Sequence, residues 1–226
     1  LDNLAKTNTV FIDSQKAYPI QLNKSKIYPY SKRFIDIVGA SGGLLALSIV
    51  FLFVAILIKL EDPKGPIFFS QKRIGLNGKE FKIYKFRSMV SNAEEKLAEL
   101  LKFNEVSGAM FKMKEDPRIT RIGKFIRKSS IDELPQLINV LKGDMSLVGP
   151  RPPLPREVAE YTTYHKQRLL VIPGCTGLWQ ISARNSVGFE EMVEMDLEYI
   201  KNRSFIFDIK LILKTVFVLF GSKNAF

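Results

Sequence analysis

Two adjacent carboxylates, Asp132 and Glu133, open the stretch SSIDELPQLINVLKG, in which Leu134, Leu137, Ile138 and Leu141 recur at helical spacing. Pro135 lacks an N–H and is tolerated best in a first turn, so the expected helix starts near Ile131 or Asp132, with Gly143 as its stop. Carboxylates at such a start are stabilised as anions by the free N–H groups and the helix dipole, and the same terminus accepts phosphate. The pair therefore offers a nucleophile or a seat for a divalent cation. The plainer alternative is a capping box in which Ser130 and Glu133 only close the helix.

The surroundings favour chemistry. Arg118, Arg121, Lys124, Arg127 and Lys128 precede the dyad, and Arg151 follows it in the rigid turn VGPRPPLP. Guanidinium groups suit a multiply charged phosphate. Arg127 and Arg151, tied to the dyad helix and to a stiff turn, are the phosphate candidates; the other cations are expected to face lipid or water. A Gly- and Ser-rich stretch, IPGCTGLWQISARN, adds Arg184 and Asn185, with Trp179 and Gln180 placed to support a base or sugar. His165 and Cys175 are expected to be packing residues.

Several elements must position these groups. IFFSQKRIGLNGKEFKIYKFRSM holds two strand-like pieces around Asn77-Gly78, a favoured hairpin turn. Asn92 is expected to cap a helix over AEEKLAELLKF, with Leu97, Leu100 and Leu101 on one side. Further helices are expected around Val158 to Leu170 and from Phe189 to Asn202. There is no internal repeat and no low-complexity tract.

Charge is spread unevenly along the 226 residues, whose formal net charge is +11. Residues 1 to 33 carry a net +4 and residues 59 to 128 a net +8, while the remainder is nearly balanced. Between the two basic regions lies an uncharged run of 22 residues, Ile37 to Ile58, which as a helix extends roughly 33 Å. Positive charge on both flanks departs from the asymmetry of a single-pass span. A helix that enters one leaflet, bends near Gly42, Gly43 or Ser48 and returns keeps both basic ends against anionic headgroups. A straight single-pass anchor is the competing arrangement. The run SFIFDIKLILKTVFVLF is apolar but carries Asp208, Lys210 and Lys214, as an interfacial or a core helix would.

Composition excludes several classes. Hydrophobic residues at 46% rule out a mostly disordered chain. One Cys and one His exclude a disulfide framework and a His/Cys metal cluster. Nucleic-acid binding is not expected, because no recognised module accompanies the charge.

From about residue 30 to 222 the chain resembles the bacterial sugar transferases, the monotopic phosphoglycosyl transferases. The resemblance is carried by SKRFIDI, GPIFFSQKRIG, FKIYKFRSM, PGCTGLWQISARN and above all DPRITRIGKFIRKSSIDELPQLINVLKGDMSLVGPRP. It implies that Asp132 is the nucleophile, attacking the β-phosphorus of a UDP-hexose to form an aspartyl phosphosugar and release UMP. Glu133 assists, Arg127, Arg151 and Arg184 hold phosphoryl oxygens, and Asp132 ligates Mg²⁺. Undecaprenyl phosphate accepts the sugar phosphate, which starts an exopolysaccharide, capsule or O-antigen unit on the cytoplasmic face of the bacterial inner membrane. Family members commonly carry Ser-Pro in the middle of the membrane helix, where this chain has Ser48-Ile49. The segment GAMFKMKEDPRIT resembles the larger hexose-1-phosphate transferases, and the chain opens at Leu1 without Met, so it reads as their catalytic portion.

The expected fold is α+β and mostly helical: a linker over 1–30, a re-entrant membrane helix over 31–62, and a catalytic domain over 63–226. That domain is expected to hold a small β-hairpin and amphipathic interfacial helices around the site. Membrane lipids are expected partners, and self-association into a homo-oligomer is left open. A non-catalytic basic membrane scaffold is the rival function; it needs the charge and the apolar segments but not the dyad.

Overall fold

The apolar run folds as two helices rather than one. In the computed structural model, which describes residues 20, 25–93, 95–104, 113, 115–182 and 188–221, α1 (Tyr28–Ala46) and α2 (Ser48–Glu61) meet at Leu47. Their axes are bent by 59°. Pro29 stands in the first turn of α1, where its missing N–H costs nothing. The bend needs no proline: Gly42 and Gly43 weaken the last turn of α1, and Leu47 leaves helical geometry with φ −96° and ψ 7°. The ladder continues around it, with Leu47 N–H donating to Gly43 O and Phe51 N–H to Leu47 O. Among the described residues no single helix is long and apolar enough to cross a membrane, whereas the bent pair together has the length and composition.

Each arm of the pair grips a different part of the fold. Small residues on α1 allow close approach: a Cβ on Gly39 would lie 2.6 Å from Leu147 Cδ1, and one on Gly43 3.0 Å from Leu137 Cδ1. Polar residues of α1 then pin the backbone beneath. Arg33 donates to the carbonyls of Val140 and Leu141 at 2.6 and 2.7 Å. Asp36 accepts from Ser146 Oγ–H and Leu147 N–H at 2.9 and 2.8 Å. Lys32 reaches Val148 O and Asp208 Oδ2, both at 2.9 Å. The outer faces of α1 and α2 leave Phe34, Val38, Leu45, Ile49, Leu52, Phe53 and Leu60 exposed.

The hairpin forms as expected. Strands β1 (Phe68–Ile74) and β2 (Glu80–Phe86) pair antiparallel from Phe68↔Phe86 to Ile74↔Glu80. Asn77 and Gly78 at the tip have φ of 54° and 80°, the left-handed pair that suits the strand twist. The amide of Asn139, fully buried, ties this hairpin to the dyad helix: it donates to Lys82 O at 2.7 Å and accepts from Tyr84 N–H at 3.0 Å.

The helix expected after Asn92 shrinks to α3 (Leu97–Leu100) plus a 3-10 turn, and Asn92 does not cap it. Only Ala93 of the described residues there is buried, so little tertiary packing supports a longer helix. α4 (Arg121–Lys128) is capped by Thr120 Oγ1, which accepts from Gly123 N–H at 2.9 Å. α5 (Gln136–Lys142) begins five residues later than Ile131, with Pro135 as its N-cap, and ends at Gly143 with φ +88° as expected. Its buried positions are Gln136, Asn139 and Val140, while Ile138 points to the surface, because Asn139 is drawn inward by the hairpin.

A second sheet pairs β3 (Ser146–Val148) with β4 (Gly174–Thr176) in parallel. The helix expected from Val158 to Leu170 is broken into α6 (Pro155–Ala159), α7 (Thr163–Lys166) and a 3-10 turn, because Thr162 takes extended geometry and caps α7. α8 (Leu178–Ser182) precedes α9 (Phe189–Asn202), whose limits match expectation, and α10 (Phe205–Gly221) follows. Asp208 of α10 is not a surface charge: it is buried against Lys32, Tyr28 and Tyr199. The opposite side of α10 exposes Ile206, Leu213, Val216 and Phe217. The architecture is thus mostly helical with two small sheets.

Candidate active site

The dyad lies on a 3-10 turn, Ile131–Glu133, in the hinge between α4 and α5. Ser130 enters that turn in the left-handed region, φ 56°, and makes no side-chain cap, so the capping-box alternative is not realised. Both helices flanking the dyad are held by the bent pair. Glu61 at the end of α2 accepts from the N–H groups of Arg121 and Ile122 at 2.8 and 3.1 Å, closing the start of α4. Arg33 of α1 closes the end of α5. Charges at these ends complement the helix dipoles. The carboxylates therefore sit on a strained turn clamped at both ends by the apolar helices.

The two carboxyl groups have different surroundings. Asp132 is 7% exposed, whereas the Glu133 side chain is 45% exposed and is met by Lys85 Nζ at 2.5 Å. Burial pushes the Asp132 carboxyl up to about 6, with Lys85 and Arg127 opposing and the neighbouring Glu133 anion reinforcing. Glu133 moves the other way: withdrawal from water opposes its charge, but Lys85, Arg151 and Arg73 outweigh that and hold it below the ordinary glutamate range. One carboxylate is poised near neutrality and the other is kept ionised.

Arg127, on the last turn of α4, bears on the charge of Asp132, and Arg151 on that of Glu133. The Arg151 turn is rigidly held. Gly149 N–H donates to Thr176 O and Gly174 N–H to Pro150 O at 2.8 and 2.9 Å. A Cβ on Gly174 would fall 2.0 Å from Gly149 N, so both positions require glycine. Arg168, buried in an ion pair with Asp196 at 2.6 Å, also donates to Arg151 O.

Other expectations fare differently. Arg118 is not a lipid or solvent contact: it is buried in a forked pair with Asp116. His165 packs against Tyr161 and Phe189 and meets Glu190 at 3.2 Å, a packing role. Burial raises the Cys175 thiol well above its ordinary range, which keeps it unreactive. Trp179 and Gln180 lie on α8, with the indole Nε1 buried and unpartnered among the described residues. Arg184 and Asn185 lie outside the described residues.

Sequence reasoning missed Lys85 and Arg73. The hairpin register places Arg73 opposite Phe81 and Gln71 opposite Ile83, so Arg73, Ile83 and Lys85 share one face. A cation in the register of buried Ile83 is the signal that marks them.

The profile of the family described as "Bacterial sugar transferase" matches residues 27–222. The chain belongs to the bacterial sugar transferase family. The chain is 51% identical over 219 residues to the galactosyl transferase CpsE of Streptococcus agalactiae, covering 95% of this chain and 48% of the relative. It is 40% identical to the undecaprenyl-phosphate galactose phosphotransferase of Salmonella typhimurium, over 99% of this chain and 48% of that protein. It is 41% identical to the exopolysaccharide production protein ExoY of Sinorhizobium fredii, over 87% of this chain and 88% of that one. The chain spans about half the length of the first two relatives.

Proposed function

We propose that this transferase moves a hexose 1-phosphate from a UDP-sugar to undecaprenyl phosphate, the opening step of polysaccharide assembly. A carboxylate oxygen of Asp132 attacks the β-phosphorus of the donor; the bond from that phosphorus to the bridging oxygen breaks, and UMP leaves with the electron pair. An oxygen of the lipid phosphate then attacks the same phosphorus, the bond to Asp132 breaks, and the carboxylate is restored. Glu133 stays ionised beside Lys85, orients the ammonium toward phosphoryl oxygens and supports the charge of the nucleophile. Arg127 and Arg151 hold the diphosphate, with Arg184 and Asn185 completing the donor site.

The observation that carries this reading is the pairing of a buried Asp132, raised to about 6, with an ion-paired Glu133 on one clamped turn. The choice of substrates is supported by relatives named for galactose phosphate transfer to undecaprenyl phosphate and for N-acetylgalactosamine phosphate transfer to the same carrier. UDP-galactose is therefore the first donor to test.

The donor set fits Mg²⁺ in the manner usual for phosphate chemistry, in which one or two carboxylates leave the other positions to water and phosphate oxygens. Asp132 is the protein ligand, since Lys85 already engages Glu133. When bound, the ion offsets charge on the diphosphate. The bent pair α1–α2 enters and leaves one leaflet, which holds the dyad at the cytoplasmic face of the inner membrane.

Intact-protein mass after incubation with Mg²⁺ and UDP-galactose, without lipid, tests the reading. Wild type gains a hexose phosphate and releases UMP, and Asp132→Asn does neither. An unmodified wild type with every UDP-hexose, or turnover by Asp132→Asn, overturns it.

A further inference from the structure

Arg73 is 6% exposed yet makes no ion pair among the described residues. Its Nη1 donates to Pro152 O at 3.0 Å and its Nη2 to Gln71 Oε1 at 3.1 Å. The Nε is buried with no partner among the described residues. Burying a guanidinium is costly unless a negative group answers it. Here the neighbours are mixed. Arg151 and Arg156 bear on Arg73 with like charge, whereas Glu157 and Glu133 favour its charge without closing an ion pair with it. Glu157 accepts from Leu154 N–H at 2.8 Å, and Glu133 is held by Lys85.

Three guanidinium groups from β1, the Pro150–Pro153 turn and α6 thus act on one another, and Arg73 has no carboxylate at ion-pair distance among the described residues. The rigid turn prevents them from drifting apart: Ile74 N–H donates to Pro153 O at 2.9 Å beside the Arg73 contact to Pro152. A cleft of about 350 Å³ opens alongside, lined by Gln71, Lys72, Leu154, Pro155 and Arg156. With Arg73 buried, Arg151 half-buried and Arg156 exposed, a substrate anion at this cleft would answer charge that no ion pair meets.

We infer that Arg73, with Arg156, extends the anion site of Arg151 beside the Asp132–Glu133 turn and binds a phosphoryl group of a substrate. The ligand chemistry is a phosphate ester, supplied either by the diphosphate of the nucleotide donor or by the phosphate of the lipid acceptor. Arg73 acts as a binding residue, and it deepens the function proposed above, on which the choice of substrate rests.

Binding of inorganic diphosphate to the detergent-solubilised full chain tests the site without turnover. Arg73→Gln is expected to weaken it on the order of tenfold to a hundredfold, the worth of a charged hydrogen bond or two, with Arg73→Lys between the two. Arg156→Gln, at an exposed position, removes one charge without touching the core and is expected to weaken binding several-fold. It decides the matter if Arg73→Gln fails to fold. Undiminished diphosphate binding in folded Arg73→Gln, or in Arg156→Gln when only that variant folds, overturns the site. The two half reactions separate the sources: slower adduct formation from UDP-galactose assigns the anion to the donor, and slower discharge of preformed adduct by undecaprenyl phosphate assigns it to the acceptor. If wild type forms no adduct but Arg73→Gln loses diphosphate, the proposed function falls and the anion site stands.

Discussion

Lys85 closes on Glu133, Nζ to Oε1 at 2.5 Å, and leaves the adjacent Asp132 without an ion pair among the described residues. A single ammonium on a hairpin strand thereby divides two neighbouring carboxyl groups into one that stays charged and one that titrates near neutrality. Four expectations follow from this division and from the scaffold behind it.

Replacing Lys85 by Met removes the group that lowers both carboxyls. The acid limb of adduct formation is expected to move up by about one unit or more, since an opposite charge at this range is worth that much. Activity near pH 7 falls accordingly. A pH profile that matches wild type would show that Lys85 does not set the charge of the dyad.

Asp132 also leaves a mark on stability. Its carboxyl is raised to about 6 in the fold, against about 3.9 in the unfolded chain. Between those values the folded state binds more protons, so its contribution to stability falls as pH rises through the window and the penalty is complete above it. Glu133, lowered by the fold, works in the opposite sense. The difference between wild type and Asp132→Asn isolates the first effect. The variant is expected to be more stable at pH 7 by up to roughly 3 kcal/mol and equal near pH 4, measured by thermal unfolding.

The pair Arg168–Asp196 is buried on both sides, with 2% and 1% of each side chain exposed. Arg168→Met strands the Asp196 carboxylate and is expected to cost about 3–5 kcal/mol, whereas Arg168→Met combined with Asp196→Leu recovers most of it. The denaturant midpoints of the three proteins make the comparison. An additive loss in the double variant would contradict the account.

Tyr30 and Lys64 stand at the two ends of the bent pair, both exposed. In a Cys175→Ala background, Tyr30→Cys and Lys64→Cys are expected to react with an impermeant maleimide from the same side of sealed vesicles. Labelling from opposite sides would make α1 and α2 a single crossing.

Legibility in the sequence followed the range of the forces involved. The Asn77-Gly78 hairpin, the Gly143 stop and the limits of α9 are local: backbone geometry at a few residues decides them. The bend at Leu47 was also readable, because two glycines sit one turn before it. The start of α5 was not. Pro135 is compatible with either position, and the choice falls to Asn139, whose amide is pulled inward by a strand 57 residues away. The same distance hid Lys85 and Arg73 from the reading of the site. Arg118 looked like one more surface cation, and its forked pair with Asp116 is a tertiary outcome of burial that a charge count does not reveal. Asp132 and Glu133 could be placed by type and spacing, but their unequal environments come from a strand that adjacency does not indicate.

Lys32 and Asp208 are separated by 176 residues of chain, and that separation sets an order of events during synthesis. The ribosome delivers roughly 5–20 residues per second, so α1 emerges on the order of ten seconds or more before the carboxylate that will receive its ammonium. Until α10 arrives, Lys32 lacks that partner while the apolar flank of α1 is already available to lipid. The apolar flank of α1 is therefore complete before the polar contacts that Asp208 of α10 makes with Tyr28 and Lys32. A chain interrupted before Asp208 keeps α1 and α2 but loses the clasp beneath Val148, which makes α10 the checkpoint for assembling the site around Asp132.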